Sequence, residues 1–231
     1  MSPAPAEPGR DAIMTVAIID YGSGNLRSAA KAFAWAAARV DGTPEVVVTS
    51  DPDALQRADH IVLPGVGAFA DCMAGLRGVD GMREALEHHV IGAGKPFLGI
   101  CVGMQLMADS GHEHEVTPGL GWLSGRVVAL DPASDGDGKR LKIPHMGWNQ
   151  LAIEKPEHPV LAGVESGSYV YFVHGFHLVA NSSGDVKATT DHGQAVTAMV
   201  GRDNIVGTQF HPEKSQAPGL RLIGNFLAWR P

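Results

Sequence analysis

Gly99-Ile100-Cys101-Val102-Gly103 sets a cysteine between two glycines, each two residues away. An apolar run ends at this cysteine and a helical pattern starts after it, so the five residues form a strand-to-helix turn with a nucleophile at its apex. Such a turn strains the backbone and leaves room only for small residues two positions to either side. It lifts the sulfur above the sheet. It also aims the Val102 N–H and the start of the following helix at one spot, where a developing oxyanion is stabilised. A sulfur nucleophile needs a proton acceptor, and the acceptor needs a group to hold its tautomer. Among eleven histidines, His211 stands out because it closes the apolar run 205–211 and is followed by Pro212-Glu213. Pro212 fixes the intervening backbone, so the Glu213 carboxylate can reach back to one ring nitrogen. Cys101, His211 and Glu213 thus read as nucleophile, base and orienter. Each piece taken singly also reads as structural: a buried core cysteine between incidental glycines, and a polar turn closing a strand.

The remaining reactive side chains are less pointed. Cys72, in DCMAG, has no such turn and no partner, and reads as structural. His145 reads as structural and His174 as a candidate wall of a binding site. No His/Cys/Asp/Glu cluster has metal-ligand spacing, so neither a metal nor a cofactor is expected. The glycine-rich DYGSGN and PGVGAF loops are neither a P-loop nor a full dinucleotide fingerprint.

The elements that must position these groups follow from the periodicity. Residues 15–20, 45–50, 60–65 and 95–101 are short Val- and Ile-rich runs, predicted as parallel strands buried on both faces. Helices are predicted over 26–40, from Asp51-Pro52 with Asp51 as the cap, over 81–95, and after the cysteine through VGMQLMAD. The alternation makes an α/β sheet. From about Trp122 to Val179 the apolar segments shorten and alternate, which predicts antiparallel strands added to the parallel half, around a polar loop at 131–140. Strands at 195–200 and 205–211 and a helix at 220–230 close the chain. The organisation expected is one domain over 15–231, preceded by a Pro- and Ala-rich disordered extension, 1–14.

Composition narrows the function. With 44% hydrophobic and 19% charged residues this is an ordinary globular chain of 231 residues. A net charge of −7 argues against nucleic acid or an anionic membrane as partner. No apolar run approaches the roughly 20 residues of a membrane span. Two cysteines suit a reducing cytoplasm.

Four segments in order, LPGVGAF (63–69), GICVGMQLM (99–107), KIPHMGWN (142–149) and GTQFHPEKS (207–215), resemble the class I glutamine amidotransferases over about residues 15–230. DYGSGN and PHMGWN are similar to the branch comprising the glutaminase subunits of imidazole glycerol phosphate synthases. The resemblance implies a single-domain amidotransferase fold: a flavodoxin-like mixed sheet flanked by helices, with an added antiparallel segment. It implies a triad of Cys101, His211 and Glu213 that releases ammonia from glutamine. It further implies an oxyanion hole from the Val66 and Val102 N–H groups, formed in the active complex if the Val66 peptide reorients between its glycines. Gly65, Gly67 and Gln105 would bind the substrate backbone and amide, Glu113 its α-amino group, and the backbone at His174, Gly175 and Phe176 its carboxylate. Ser and Tyr usually follow that histidine, and Val102 stands where Leu is common. The implied partner is a (β/α)8-barrel cyclase in a heterodimer, serving histidine biosynthesis. Such a barrel takes ~250 residues, so it is expected as a separate subunit. Asn25, Met146, Trp148 and Lys214 are candidates for the contact face or the ammonia exit; for Trp148, core packing is the other reading. Three alternatives stand beside this: a glutaminase subunit of a different synthase, a cysteine peptidase, and a non-enzymatic binding subunit.

Overall fold

A computed structural model describes residues 14–131 and 141–231. The expected extension 1–14, all but Met14, lies outside them, as does the expected loop 131–140 beyond Asp131. The first half alternates as expected, with one helix, α3, that the periodicity did not predict: β1 (Thr15–Ile19), α1 (Leu26–Ala37), β2 (Glu45–Thr49), α2 (Ala54–Arg57), β3 (His60–Gly65), α3 (Phe69–Gly78), α4 (Met82–Leu86), β4 (Phe97–Cys101) and α5 (Val102–Gln105). β1, β3 and β4 are buried almost throughout. β2 is not, because it forms the edge of the sheet, and its EVVVT pattern is only half covered. The short helix starts later than expected: Asp51 Oδ1 accepts the Asp53 N–H at 3.0 Å, making a turn that leads into α2 from Asp53. α4 runs on into a wider-wound turn, Glu87–Gly92.

The middle of the chain contributes β5 (Ala108–His112), β6 (Val116–Pro118), β7 (Leu123–Ala129), β8 (His145–Gln150), β9 (Ala152–Ile153), β10 (Tyr169–His174) and β11 (Phe176–Ala180). The end contributes β12 (Val186–Asp191), β13 (Ala195–Arg202), β14 (Ile205–Thr208) and α6 (Gln216–Ala228), a helix that starts four residues before the predicted one. Among the described residues the main sheet has eight strands in the order β2-β1-β3-β4-β14-β13-β12-β9. Its first five strands are parallel and its last three pair antiparallel. The middle strands mostly form two smaller sheets rather than extending the main one: β10-β8, antiparallel as expected, and β11-β7-β5-β6, in which β5 and β7 pair parallel.

This order sets the site. β3, β4 and β14 are adjacent and parallel, with Gly65 opposite Cys101 and Thr208 opposite Ile100. Their carboxyl ends therefore deliver the 65–67 loop, Cys101 and the 209–213 segment to one edge, where ligands gather in such sheets. α1 and α6 cover one face, with Phe33 edge-on to Phe226 at 6.4 Å between ring centroids. Among the described residues no helix is long and apolar enough to cross a membrane.

Candidate active site

Cys101 ends β4 with φ 54° and ψ −112°, a left-handed conformation that side chains rarely adopt. Such strain survives where the surroundings enforce it, and it is a mark of functional sites. The flanking glycines show how it is enforced. A Cβ at Gly99 would lie 2.6 Å from the Gly103 carbonyl oxygen, and one at Gly103 would run into the Leu63 carbonyl oxygen. Gly103→Ala should therefore cost more than about 3 kcal/mol, since backbone cannot yield as a side chain can. The expected result in thermal denaturation is a midpoint lower by about 10 °C, or no folded protein.

β14 ends at Thr208, short of the expected 211, and His211 faces the cysteine from three residues beyond it, its Nδ1–H donating to Glu213 Oε1 at 2.8 Å. Both side chains are 2% exposed. Burial penalises the charged ring, but hydrogen bonding and charge from Cys101 and Glu213 outweigh it and hold the His211 pKa up at about 9. His211 Nε2 is buried without a well-aligned hydrogen bond among the described residues, which leaves it open toward the sulfur. Ser215 fixes the segment, its Oγ donating to the His211 carbonyl at 2.6 Å and accepting the Tyr171 N–H at 3.0 Å.

A cavity of about 190 Å³ opens over these groups. That is below the ~300–1,000 Å³ of drug-sized sites and suits an amino acid. Val66, Gly67, Cys101, Val102, Gln105 and Glu113 line one side. His174, Gly175, Phe176, His211 and Lys214 line the other, with Val173. Gly65 does not line it; it packs under the turn, where a Cβ would meet Gly103 N and the Tyr21 hydroxyl at 2.7 Å. Glu113 accepts the Phe69 N–H at 2.8 Å through Oε2. Gln105 Nε2 donates to the Phe176 carbonyl and to Gln209 Oε1, both at 3.0 Å. A wider groove of about 560 Å³, lined by Asn149, Gln150, Thr189, Thr190, Asp191 and Gln194 among others, contains neither cysteine nor histidine.

Of the candidate contact residues, only Lys214 reaches the cavity, its Nζ 5.7 Å from the Tyr171 ring centroid. Asn25 caps α1 by accepting the Ser28 N–H. Met146 and Trp148 alternate on the outer face of β8, 64% and 45% exposed, so Trp148 is not core.

Three contributors escaped the sequence. Ser23 Oγ accepts the Val66 N–H at 3.1 Å and donates to the Val66 carbonyl at 2.6 Å, so that loop residue is held on both sides. Cys72 does have partners: its thiol donates to the Val66 carbonyl at 3.3 Å and touches Ser23 Oγ at 3.2 Å, while burial pushes its pKa up. Gln209 Nε2 lies 3.7 Å from the Cys101 sulfur. Its one sequence signal was its place two residues before His211.

Residues 17–228 match the family model of glutamine amidotransferase class-I. The chain is 56% identical over 218 residues to the imidazole glycerol phosphate synthase subunit HisH of Rhodospirillum rubrum, covering 94% of this chain and 100% of the relative. It is 57% identical over 221 residues to the protein of the same name from Rhodopseudomonas palustris, with the same two coverages. A solved glutamine amidotransferase superposes with a TM-score of 0.67 at 18% identity, over 93% of this chain and 99% of that one. A glutamine amidotransferase of Thermotoga maritima gives 0.57 at 15% identity, over 87% and 76%. These two likenesses speak to the fold.

Proposed function

The chain belongs to the class-I glutamine amidotransferases, and we propose from this that it works at the Cys101 cavity as the glutaminase subunit of an imidazole glycerol phosphate synthase. It hydrolyses glutamine to glutamate and ammonia in histidine biosynthesis. The observation that carries the site reading is the strained Cys101 facing a buried His211–Glu213 pair in a cavity of amino-acid size.

Cys101 gives its proton to His211 Nε2, and the sulfur attacks the side-chain amide carbon of glutamine. Glu213 holds the Nδ1–H and stabilises the imidazolium. The tetrahedral oxyanion takes the Val102 N–H, and as second donor the Val66 N–H, once the Val66 peptide turns away from Ser23. Gly67, already at φ +100°, gives that peptide room to turn. The C–N bond then breaks, and the proton on His211 leaves with the nitrogen as ammonia. His211 next deprotonates a water that attacks the thioester, and glutamate departs as the thiol is restored. Glu113, with Oε2 bound to Phe69, meets the substrate ammonium through its other oxygen. Gln105, with both amide hydrogens engaged, meets the substrate amide through Oε1. Gly65 supports the loop from beneath, and Gly67, His174, Gly175 and Phe176 bring backbone to the substrate.

Free ammonia in neutral water is mostly ammonium, so the product serves synthesis only when delivered directly. The partner is a (β/α)8-barrel cyclase subunit in a heterodimer, which uses the ammonia to make imidazole glycerol phosphate and an aminoimidazole carboxamide ribotide. Support for the docking face is the exposed apolar surface of Ile143, Met146, Trp148 and Tyr169, 48%, 64%, 45% and 54% exposed, with Met146 paired to the cavity residue Val173 and Trp148 to Tyr171, over which Lys214 lies. Asn25, the cap of α1, is the remaining candidate for the contact. Two free cysteines fit the reducing cytoplasm.

The test is glutamate release by the purified chain, alone and with the cyclase subunit and its nucleotide substrate. Release appears mainly in the complex, and Met146→Glu weakens assembly about tenfold or more, because a charge lands in the apolar contact. Strong release indifferent to the cyclase would move the chain to a different synthase. No release in either case would leave a binding subunit.

A further inference from the structure

β8 has a second face. Behind Met146 and Trp148, His145 is buried between the Phe172 ring at 4.6 Å and the His192 ring at 4.1 Å, both nearly parallel to it. Its ring nitrogens join a run of four hydrogen bonds whose direction is forced at each step. His174 Nδ1 lies 2.9 Å from the Phe176 carbonyl oxygen, which can only accept, so His174 carries its proton on Nδ1. Neutral His174 therefore accepts at Nε2, and His145 Nδ1–H, 3.0 Å away, must donate to it. His145 in turn accepts at Nε2 from Asn149 Nδ2 at 3.2 Å. The Asn149 amide cannot be reversed, because its Oδ1 accepts the Gln150 N–H at 2.8 Å and its Nδ2 also donates to the Asp191 carbonyl at 2.7 Å.

The run ends in the cavity wall. The Phe176 carbonyl takes both His174 and Gln105, and the Gly175 carbonyl takes the Leu130 N–H at 2.9 Å. The 175–176 peptide, which carries the Phe176 N–H, and the 176–177 peptide are thereby fixed in orientation, with no side chain of Gly175 to help. The titratable groups facing the two rings are themselves histidines: His192 against His145 from the turn after β12, and His177 of β11 beside His174. Burial, reinforced by these neighbours, lowers His145 to about 4 and His174 to about 3, which keeps both rings neutral as the run requires.

We propose that Asn149, His145 and His174 form a one-directional hydrogen-bond chain that positions Gly175 and Phe176 against the carboxylate of glutamine, so that His145 and Asn149 set affinity for glutamine and not the rate of its cleavage. This rests on the reading that glutamine's carboxylate lies at that turn. His145 and Asn149 are positioning residues, since neither lines the cavity.

In the two-subunit complex, His145→Phe keeps the ring stack and removes the donor, leaving His174 Nε2 unpaired. It raises KM for glutamine roughly tenfold, the scale of one buried partner lost, with kcat within about twofold. His145→Asn, whose amide N–H takes the place of Nδ1–H, recovers most of the affinity. Asn149→Ala, which leaves the buried stack intact, raises KM severalfold and keeps the proposal open to test if His145→Phe does not fold. In ¹⁵N spectra of the wild-type chain at neutral pH, both rings show the Nδ1–H form. An Nε2–H form at either ring, an unchanged KM in folded His145→Phe, or a fall in kcat alone would overturn the proposal. Glutamine protection of Cys101 against iodoacetamide separates this from the site reading. Protection in the wild type with unchanged KM in the variants overturns the chain alone, whereas no protection overturns the glutamine site itself.

Discussion

Cys101→Ala abolishes glutamine-dependent synthesis by the complex, by a factor of at least about 10⁴, while synthesis supplied with ammonium salt continues. The size follows from what is removed. Without a sulfur there is no thioester, and water must attack an unactivated amide with only hydrogen-bond donors to help, which is the residual catalysis left when a nucleophile is deleted. The loss is not a folding defect. The side chain is a 4% exposed thiol at φ 54°, and alanine meets the same backbone strain as cysteine there. The ammonium control separates the two chemistries, because the cyclase needs ammonia and not its source. Glutamate release is followed with a coupled dehydrogenase, and synthesis by product absorbance. Glutamine-dependent activity above about a tenth of wild type would place the nucleophile elsewhere. Loss of the ammonium-dependent activity as well would show that the substitution had broken the interface rather than the chemistry.

The turn that carries the candidate nucleophile Cys101 was legible because it is written in local spacing. Gly99 and Gly103 are demanded by clashes with backbone four and five residues on or on the adjoining strand, and only glycine meets that demand. His211 and Glu213 are likewise neighbours joined through Pro212. The continuous apolar runs of β1, β3 and β4 announced buried parallel strands. β2 carries the same kind of run, yet lies at the edge, and nothing local distinguishes an edge from a centre. The helix predicted through residue 109 stops after one turn for a non-local reason. The Leu106 carbonyl takes the Leu120 N–H, and the Met107 carbonyl takes those of Trp122 and Leu123, so the chain turns into β5. Ser23 was invisible for the same cause. It holds Val66 across 43 positions, and Gln105 meets Gln209 across 104. Cavity walls assembled this way require the fold, and so did the pairing of His145 with His174, two histidines first read separately.

Glu213→Gln lowers kcat by about a thousandfold near neutral pH and changes how stability depends on pH. His211 has an ordinary value of 6.5 and stands at about 9 in the folded site, a rise of roughly several hundredfold in proton affinity. In the proposed reaction that affinity lets the ring take the proton of Cys101 and carry it to the leaving nitrogen. A neutral amide at 213 still fills the space and can accept the Nδ1–H, but it brings no charge, so that only Cys101 remains to offset the burial that lowers the ring's pKa. The acyl-transfer step then lacks a strong proton acceptor, while KM for glutamine changes little because Glu213 does not line the cavity. For stability, a group whose pKa is raised on folding contributes fully below its unfolded value and loses that contribution as pH rises through the folded one. The wild type therefore holds this stabilisation below pH 6.5 and loses it through about pH 9. Thermal midpoints of wild type and Glu213→Gln should be furthest apart near pH 6 and draw together above pH 9. A gap that is constant across that range would mean that Glu213 acts by packing alone, and that His211 is neutral in the resting site.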